Sequence, residues 1–140
     1  MILKVSISEV ELIAHRMARE ILKWDEPIPD FSSRYKNVLE SCLSTPFQTF
    51  NKRSLYQGLV EQSSILFYLM IKNHPFQNGN KRIAITTLFY FLYKNGKWIE
   101  IENQGLYNFA VWVASSPPEF REETLSAIKK FIRKNIVDAK

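Results

Sequence analysis

The chain has 140 residues, of which 46% are hydrophobic and 24% are charged, and its formal net charge is +5 at pH 7. This length and composition predict a single compact domain over residues 1–140, and they exclude a disordered, collagenous or low-complexity chain. Cys42 is the only cysteine, so we expect no disulfide and a reducing, cytoplasmic location. The longest apolar run, near residues 85–93, is too short to cross a bilayer, so no membrane partner is expected.

The first third of the chain predicts two helices. Ser8 and Glu11 have the spacing of a capping box, and the apolar residues that follow recur at helical intervals, which predicts a first helix over residues 8–23. Prolines then interrupt the pattern. A second, short helix begins near Tyr35 and is ended by Pro46.

The segment from residue 45 to residue 54 loses the helical period. Its apolar residues and threonines favour an extended excursion that turns near Asn51-Lys52, as in a β-hairpin or flap. From Leu55 the helical period returns, and the apolar residues soon face nearly all directions. This pattern predicts a third helix that is central and buried.

The rest of the chain predicts three further helices and almost no strand. Pro75 ends the third helix, and a fourth runs from residue 80 or 81 to Lys94, where Asn95-Gly96 provides a left-handed stop. A fifth spans residues 103–115, and the last begins at Pro117-Pro118. The expected fold is therefore all-α, a single compact bundle of about six helices with a short β-hairpin flap.

The loop over residues 74–82 has the sequence His-Pro-Phe-Gln-Asn-Gly-Asn-Lys-Arg and carries the chemistry. Gly79 and Asn80 lie just ahead of a helix, where a flexible backbone can direct unpaired amides at a phosphate group. Lys81 and Arg82 add two cations to the first turn, which is unfavourable for the helix dipole unless an anion binds there. The loop therefore predicts a phosphate site.

His74 begins the same loop, and a histidine imidazole can accept a proton near neutral pH, so we expect it to act as a general base. Phe76 is the one apolar residue in a polar loop and is expected to plug into the core. Alternatives remain for each part: a histidine before a proline can simply satisfy backbone carbonyls, and an Asn-Gly pair can simply turn the chain. The combination of these residues within one loop favours the anion site.

Other candidates outside the loop favour structural roles. His15, on the first helix, is expected to form a hydrogen bond at the edge of the core, and Trp24, Trp98 and Trp112 are expected to pack. The positive charge suits a polyanion, although a solvated basic face is the favoured explanation. The last helix ends in a basic cluster, residues 129–134, but we do not expect nucleic acid as a direct substrate.

Residues 74–82 closely resemble the signature loop of the Fic/Doc family, H-x-F-x-[D/E]-G-N-[G/K]-R, and every position but one agrees. The similarity extends to residues 39–46, Thr49-Phe50, Leu55-Tyr56 and Asn95-Gly96, and it covers about residues 8–100. The resemblance implies an all-α bundle with a β-hairpin flap. It also implies an enzyme that transfers part of a nucleotide to a hydroxyl group of a target protein.

The residue at position 81 separates two branches of this family. Most members have glycine there and transfer AMP from ATP to Ser, Thr or Tyr, whereas toxins of the Doc (death-on-curing) branch have lysine and transfer the γ-phosphate. Lys81 therefore implies a Doc-like toxin that phosphorylates a target protein, with the translation machinery as the expected target. AMP transfer is the alternative.

The resemblance also implies a role for each loop residue. His74 would deprotonate the target hydroxyl, Gly79 and Asn80 would cradle phosphate, and Lys81 and Arg82 would hold the charge of ATP phosphates. The flap would align the target by strand-like pairing. Its expected docking residues are Thr45, Phe47, Thr49, Phe50 and Tyr56.

Asn78 is the one departure from the family motif, because members carry Asp or Glu there to hold magnesium. An amide oxygen is a poorer ligand for this hard cation than a carboxylate, so Mg²⁺ should be held weakly. Three explanations stay open: the ATP phosphates hold the ion, the enzyme is slow, or the protein is a degenerate relative that only binds. Inhibition by a separate antitoxin chain is also expected, because no inhibitory helix is evident in the sequence.

Overall fold

The computed structural model describes residues 1–20 and 27–140. Trp24 and the last three residues of the expected first helix lie outside the described residues. Within the described part, six helices and two small antiparallel sheets form the fold, and the all-α expectation with a short hairpin is confirmed. No described helix is long and apolar enough to cross a membrane.

Helix α1 consists of three consecutive segments, α-helical Ile7–Glu9, π-helical Val10–His15 and α-helical Arg16–Glu20. The capping box is formed by Ser6 and Glu9, whose side chains each accept a hydrogen bond from the other's backbone N–H. The expected Ser8–Glu11 box was therefore wrong. Val5 and Val10 are both buried and occupy the two positions, before the N-cap and four residues after it, where a hydrophobic staple favours a cap at Ser6.

Helix α2, Lys36–Ser44, continues into a 3₁₀ turn and then into a hairpin of strands β1, Thr49–Phe50, and β2, Arg53–Ser54. Asn51 and Lys52 form its turn with positive φ angles of 51° and 64°, the two-residue geometry that matches the strand twist. The expected hairpin and the position of its turn are confirmed.

Helix α3 spans Gly58–Lys72 and is the central helix, with every residue from 62 to 71 buried. The sequence predicted its start at Leu55, which is wrong. The Leu55 N–H donates to the Gln48 carbonyl at 3.0 Å and extends the hairpin ladder instead. The helical spacing of Leu55 is misleading because its side chain is exposed and does not join the buried face of α3.

Three more helices complete the bundle: α4, Asn80–Lys94, α5, Asn103–Ser115, and α6, Arg121–Asn135, which follows a 3₁₀ turn at Pro118–Phe120. The bounds of α4 and α5 agree with the sequence prediction, whereas α6 begins at Arg121, after the expected start at Pro117-Pro118. Helix α4 packs along α3 and supplies a second largely buried row of side chains. The left-handed stop after α4 is Gly96, with a φ of 79°.

A second sheet, which the sequence did not predict, joins β3, Lys97–Ile99, to β4, Ile136–Asp138. Its strands are far apart in the chain and only three residues long, so neither a turn signal nor an alternating pattern reveals them. Trp98 stacks on Phe89 at a centroid distance of 4.7 Å, and Trp112 stacks on Phe109 at 5.6 Å. The packing role expected for these two tryptophans is confirmed.

Candidate functional site

The loop of residues 74–82 joins the end of α3 to the start of α4. It is fastened to α2 because the Tyr35 N–H donates to the Pro75 carbonyl at 2.9 Å. Phe76 is 1% exposed, and its ring lies 5.9 Å from that of Phe31 and 5.8 Å from that of His15. The expected plug is confirmed, and it holds the loop against the core.

Asn80 sets the shape of this loop from the first residue of α4. Its side-chain Oδ1 accepts from the Phe76 N–H at 2.9 Å, and its Nδ2 donates to the Phe76 carbonyl at 2.8 Å. Asn80 is buried, so both bonds are shielded from competing water. The side chain that the motif suggests for phosphate is thus committed to the Phe76 backbone.

Gly79 occupies the N-cap of α4 with a φ of 73°. A Cβ atom at this position would lie 2.4 Å from Ile28 Cδ1 and 3.4 Å from the Pro27 carbonyl oxygen. The left-handed backbone and the close approach both require glycine. The chain therefore enters α4 through a sharp turn at Gly79. The unpaired backbone N–H groups at the N-terminus of a helix are the groups that bind phosphate.

His74 lies at the solvent-facing start of the loop and has a φ of 51°. A left-handed conformation is uncommon for a non-glycine residue, and such outliers concentrate at functional sites. Asn80 Nδ2 approaches the His74 Nδ1 atom at 3.4 Å. Since an amide NH₂ group can only donate, Nδ1 is the acceptor in this contact, and its length makes it a weak constraint on the orientation of the ring. An exposed, oriented imidazole is the arrangement a general base needs.

The structure separates the two cations of the motif. Lys81 is partly exposed, whereas Arg82 is 5% exposed and its Nη2 donates to the Ala18 carbonyl of α1. Arg82 therefore fastens α4 to α1, which explains a cation in the first turn without an anion. Its expected role toward phosphate stays a prediction.

His15 is buried, and its Nε2 atom lies 2.8 Å from the Pro29 carbonyl oxygen. The hydrogen-bonding role expected from the sequence is confirmed. Its ring also lies edge-on to Phe31 at 5.5 Å, beneath Phe76. His15 supports the loop from below and takes no part in its solvent-facing surface.

Asn78 is exposed at the tip of the loop. Among residues 1–20 and 27–140, no three His, Cys, Asp or Glu side chains lie close enough together to hold a metal ion. The weak Mg²⁺ ligand expected at Asn78 stays a prediction.

The five flap residues expected to dock a target differ in their surroundings. Thr49 and Phe50 are exposed on the hairpin, Phe50 by 68%. Phe47 packs edge-on against Phe91 at 5.9 Å, and the Thr45 hydroxyl donates to the Ser41 carbonyl. Tyr56 is partly buried against the core. Only the two exposed residues are free of such a packing role in the described chain, and target docking stays a prediction for all five.

The hairpin and the loop lie at opposite ends of α3. The hairpin leads into Gly58, the first residue of α3, and His74 follows its last residue, Lys72. A helix of 15 residues is about 22 Å long at 1.5 Å per residue. A target that contacts both regions must therefore extend along this helix.

Several residues that shape the loop were missed by sequence reasoning. Tyr35, Ile28, Phe31 and Ala18 each contact it from distant positions in the chain. All four of these residues use a backbone atom or an ordinary apolar side chain, and neither has a sequence signal. The local signs of tight packing were the glycine and the apolar Phe76 within one polar loop.

The family model described as "Fic/DOC family" matches residues 4–92, more than half of the 140-residue chain. The matched range contains the entire loop of residues 74–82. No curated protein and no solved structure gives a significant match to the chain.

Proposed function

The chain belongs to the Fic/DOC family, and from this membership and the geometry of its loop we propose that it is a Doc-like, ATP-dependent protein-modifying transferase. It transfers the γ-phosphate of ATP to a Ser or Thr hydroxyl of a target protein. The single observation that carries this proposal is the oriented, exposed His74 beside a glycine-capped helix that begins Asn80-Lys81.

In the proposed reaction, the target hydroxyl oxygen forms a bond to the γ-phosphorus of ATP. The bond from that phosphorus to the bridging oxygen breaks, and ADP leaves with this oxygen. His74 accepts the proton of the hydroxyl group. Phosphoryl transfer depends mainly on positioning and charge stabilisation. A fixed loop that holds the phosphates beside a single base therefore meets the main requirements of this reaction.

The start of α4 fits a nucleotide phosphate. There is no room for a Cβ atom at Gly79, which caps the N-terminus of a 15-residue helix. The backbone amides of the first turn of this helix carry a partial positive charge. Lys81, partly exposed at the same end, supplies a full charge. These groups would bind and hold the phosphates, while Asn80 keeps the loop in shape.

Magnesium would enter with the ATP phosphates, where it neutralises charge, because Asn78 supplies only a neutral oxygen.

Asn78 also motivates the second candidate function, a degenerate relative that binds a partner without catalysis. AMP transfer is the third, and Lys81 argues against it. Under the Doc-like hypothesis the protein has two partners. One is a cytoplasmic target protein of the translation machinery, and the other is an antitoxin protein that inhibits the enzyme.

Isotope labelling tests these candidates. The pure protein is incubated with Mg²⁺, a cell extract and ATP labelled at either the α- or the γ-phosphate, beside His74→Ala. Gln77→Ala, an exposed change in the same loop, is the matched control. Transfer of γ label by the wild type and Gln77→Ala, but not by His74→Ala, is expected. Transfer of α label would establish AMP transfer, and no label on any protein would favour the binding-only candidate.

Growth of expressing cells tests the toxin role separately. Expression of the wild type should arrest growth, and expression of His74→Ala should not. Equal arrest by both proteins would mean that the effect does not depend on the proposed base.

A further inference from the structure

A cavity of about 430 Å³ lies beside the sheet of β3 and β4, at the C-terminal end of α4. Tyr93, in the last turn of α4, and Trp98, on β3, are its aromatic lining residues, and Val137 on β4 is the aliphatic one. The other lining residues are Glu100, Asp138, Ala139 and Lys140. The phosphate loop leads into the opposite end of this 15-residue helix, about 22 Å away at 1.5 Å per residue, so the cavity is separate from that loop.

The register of the sheet places three of these side chains on one face. Trp98 is directly opposite Val137 in the antiparallel pair, and the side chains of directly opposite residues project to the same face. Glu100 follows Trp98 by two residues, and its N–H donates to the Asn135 carbonyl at 2.9 Å, which continues the ladder beyond β3. Because successive side chains of a strand alternate between faces, Glu100 projects to the same face as Trp98.

Two aromatic rings are accessible at this cavity. Phe89, which is buried, stacks on one face of the Trp98 ring at a centroid distance of 4.7 Å. Trp98 is nevertheless 37% exposed and lines the cavity, so its accessible ring surface is on the side away from Phe89. Tyr93 is exposed, and its ring is nearly perpendicular to that of Trp98 at 6.4 Å. Accessible rings grouped in this way form an aromatic cage, which attracts cations.

Glu100 adds a negative charge to the cage. Its carboxylate forms no ion pair or side-chain hydrogen bond within residues 1–20 and 27–140. Asp138 is paired with Lys97, so these two charges offset each other. Lys140 is the one cation among the described lining residues, and its long exposed side chain is free to turn toward solvent. The C-terminal end of α4 contributes further partial negative charge, so the cavity favours a cationic ligand.

Arginine suits this combination of groups better than lysine does. A guanidinium group is planar, stacks on aromatic rings and donates two parallel hydrogen bonds to a carboxylate, whereas an ammonium group is a compact and strongly hydrated charge. A guanidinium group on Trp98 would extend the stack that Phe89 begins. Glu100 would accept its hydrogen bonds, and Val137 would contact the aliphatic part of the side chain.

We propose that this cavity binds an arginine side chain of a partner protein. The inference goes beyond the proposed transfer reaction and does not depend on it, because the cavity and the phosphate loop lie at opposite ends of α4. The cavity would hold the partner through a part of the surface that the proposed reaction does not use.

The proposal is tested by NMR titration of the ¹⁵N-labelled full chain, without nucleotide, with capped single amino acids. The probes are the N-acetyl, N′-methylamide derivatives of arginine, citrulline and lysine. Citrulline keeps the planar shape of arginine without its charge, and lysine keeps the charge without the plane. We expect saturable shifts of the Trp98 indole N–H and of the Glu100 and Val137 amides. The arginine probe should bind about tenfold more tightly than the citrulline probe, and more tightly than the lysine probe.

Glu100→Gln removes the charge of an exposed side chain, so it should lower the affinity for the arginine probe to that for the citrulline probe. Glu102→Gln, the same change of charge outside the cavity lining, is the matched control and should keep the preference. Trp98→Leu should abolish the preference for arginine over lysine. If Trp98→Leu does not fold because it loses the stack on Phe89, Tyr93→Leu serves instead and should weaken the binding of both cationic probes.

Three results would overturn the site. They are binding of the citrulline or lysine probe as tight as that of the arginine probe, equal loss of affinity in Glu100→Gln and Glu102→Gln, and the absence of saturable shifts around the cavity. Because the titration uses neither ATP nor a target protein, its failure is distinguishable from failure of the proposed transfer, which isotope labelling reports separately.

Discussion

Asn80 binds the backbone of Phe76 through both polar atoms of its side chain, accepting from the N–H at 2.9 Å and donating to the carbonyl at 2.8 Å. This pair of bonds closes the loop that carries His74. It also assigns asparagine a structural role at a motif position that family resemblance associates with phosphate.

Replacing Asn80 by aspartate tests this role. Aspartate can still accept from the Phe76 N–H, but it cannot donate to the Phe76 carbonyl, which is then left buried without that bond. The free energy of unfolding should fall by about 1–3 kcal/mol. Urea unfolding measures it, with Asn78→Asp as the control, an exposed change in the same loop expected to stay within about 0.5 kcal/mol. Equal effects of the two changes would contradict the assignment.

Asn78→Asp has a second expected effect. It restores the carboxylate that Mg²⁺ prefers, so the Mg²⁺ concentration required for half-maximal γ-phosphate transfer should decrease. A magnesium titration of the labelling reaction with the wild type and the variant measures this. An unchanged requirement would mean that the ATP phosphates alone determine how the ion is held.

Gly79→Ala should damage both stability and transfer. The new Cβ atom would lie 2.4 Å from Ile28 Cδ1 at a φ of 73°, so a steric clash adds to backbone strain. We expect a loss of about 1–3 kcal/mol in the free energy of unfolding. Gly96→Ala is the matched control, because its φ is 79° and nothing lies within 4 Å of the added atom. If Gly96→Ala lowers the free energy of unfolding by the same amount, the clash with Ile28 does not contribute to the loss in Gly79→Ala.

The left-handed backbone of His74 predicts a difference between two variants at that position. Both His74→Ala and His74→Gly should abolish transfer, because each removes the proposed base. Glycine adopts a φ of 51° without the penalty of a Cβ atom, so His74→Gly should be more stable than His74→Ala by about 1 kcal/mol. Thermal and urea unfolding compare them. Greater stability of the alanine variant would show that the backbone is not left-handed in solution.

Stability should fall in acid because of Glu9. Partial burial alone would raise the pKa of its carboxyl group, but hydrogen bonds from Lys94, Tyr90 and Ser6 lower the pKa from 4.5 to about 2. Since the pKa is lower in the folded state, the stabilisation is complete above about pH 4.5. It is lost as the pH falls toward 2.

This stabilisation should amount to about 1–2 kcal/mol, discounted for the partial exposure of the pair. Urea unfolding at pH 7 and pH 3 should therefore show a smaller acid loss in Glu9→Gln than in the wild type. Glu11→Gln, an exposed change on the same helix, should behave like the wild type. An identical acid loss in all three proteins would reject the role of Glu9.

Local sequence patterns predicted much of the fold and the outline of the loop. The turn at Asn51-Lys52 was predictable because the backbone conformation of a two-residue turn depends mainly on the turn residues themselves. The freedom of the backbone at Gly79 was predictable for the same reason, but its close approach to Ile28 was not. The burial of Phe76 was predictable because it is the one large apolar side chain in a polar loop, and burying it in the core is favourable.

Contacts between distant segments were not predictable from these patterns. The burial of Arg82 depends on the Ala18 carbonyl of α1, and a carbonyl group is present at every residue. Leu55 had the spacing of a helix but extends the hairpin, because the ladder bond to Gln48 competes with the helical period. The sheet of β3 and β4 joins short strands across α5 and α6, which no local signal encodes.

The most direct test of the central claim identifies the group that the protein attaches to its target. The wild type and His74→Ala are each incubated with a cell extract, Mg²⁺ and ATP, and modified peptides are identified by tandem mass spectrometry. A phosphate on Ser or Thr, present with the wild type and absent with His74→Ala, is the predicted result. An AMP adduct, or a phosphate that forms equally with His74→Ala, would contradict the account.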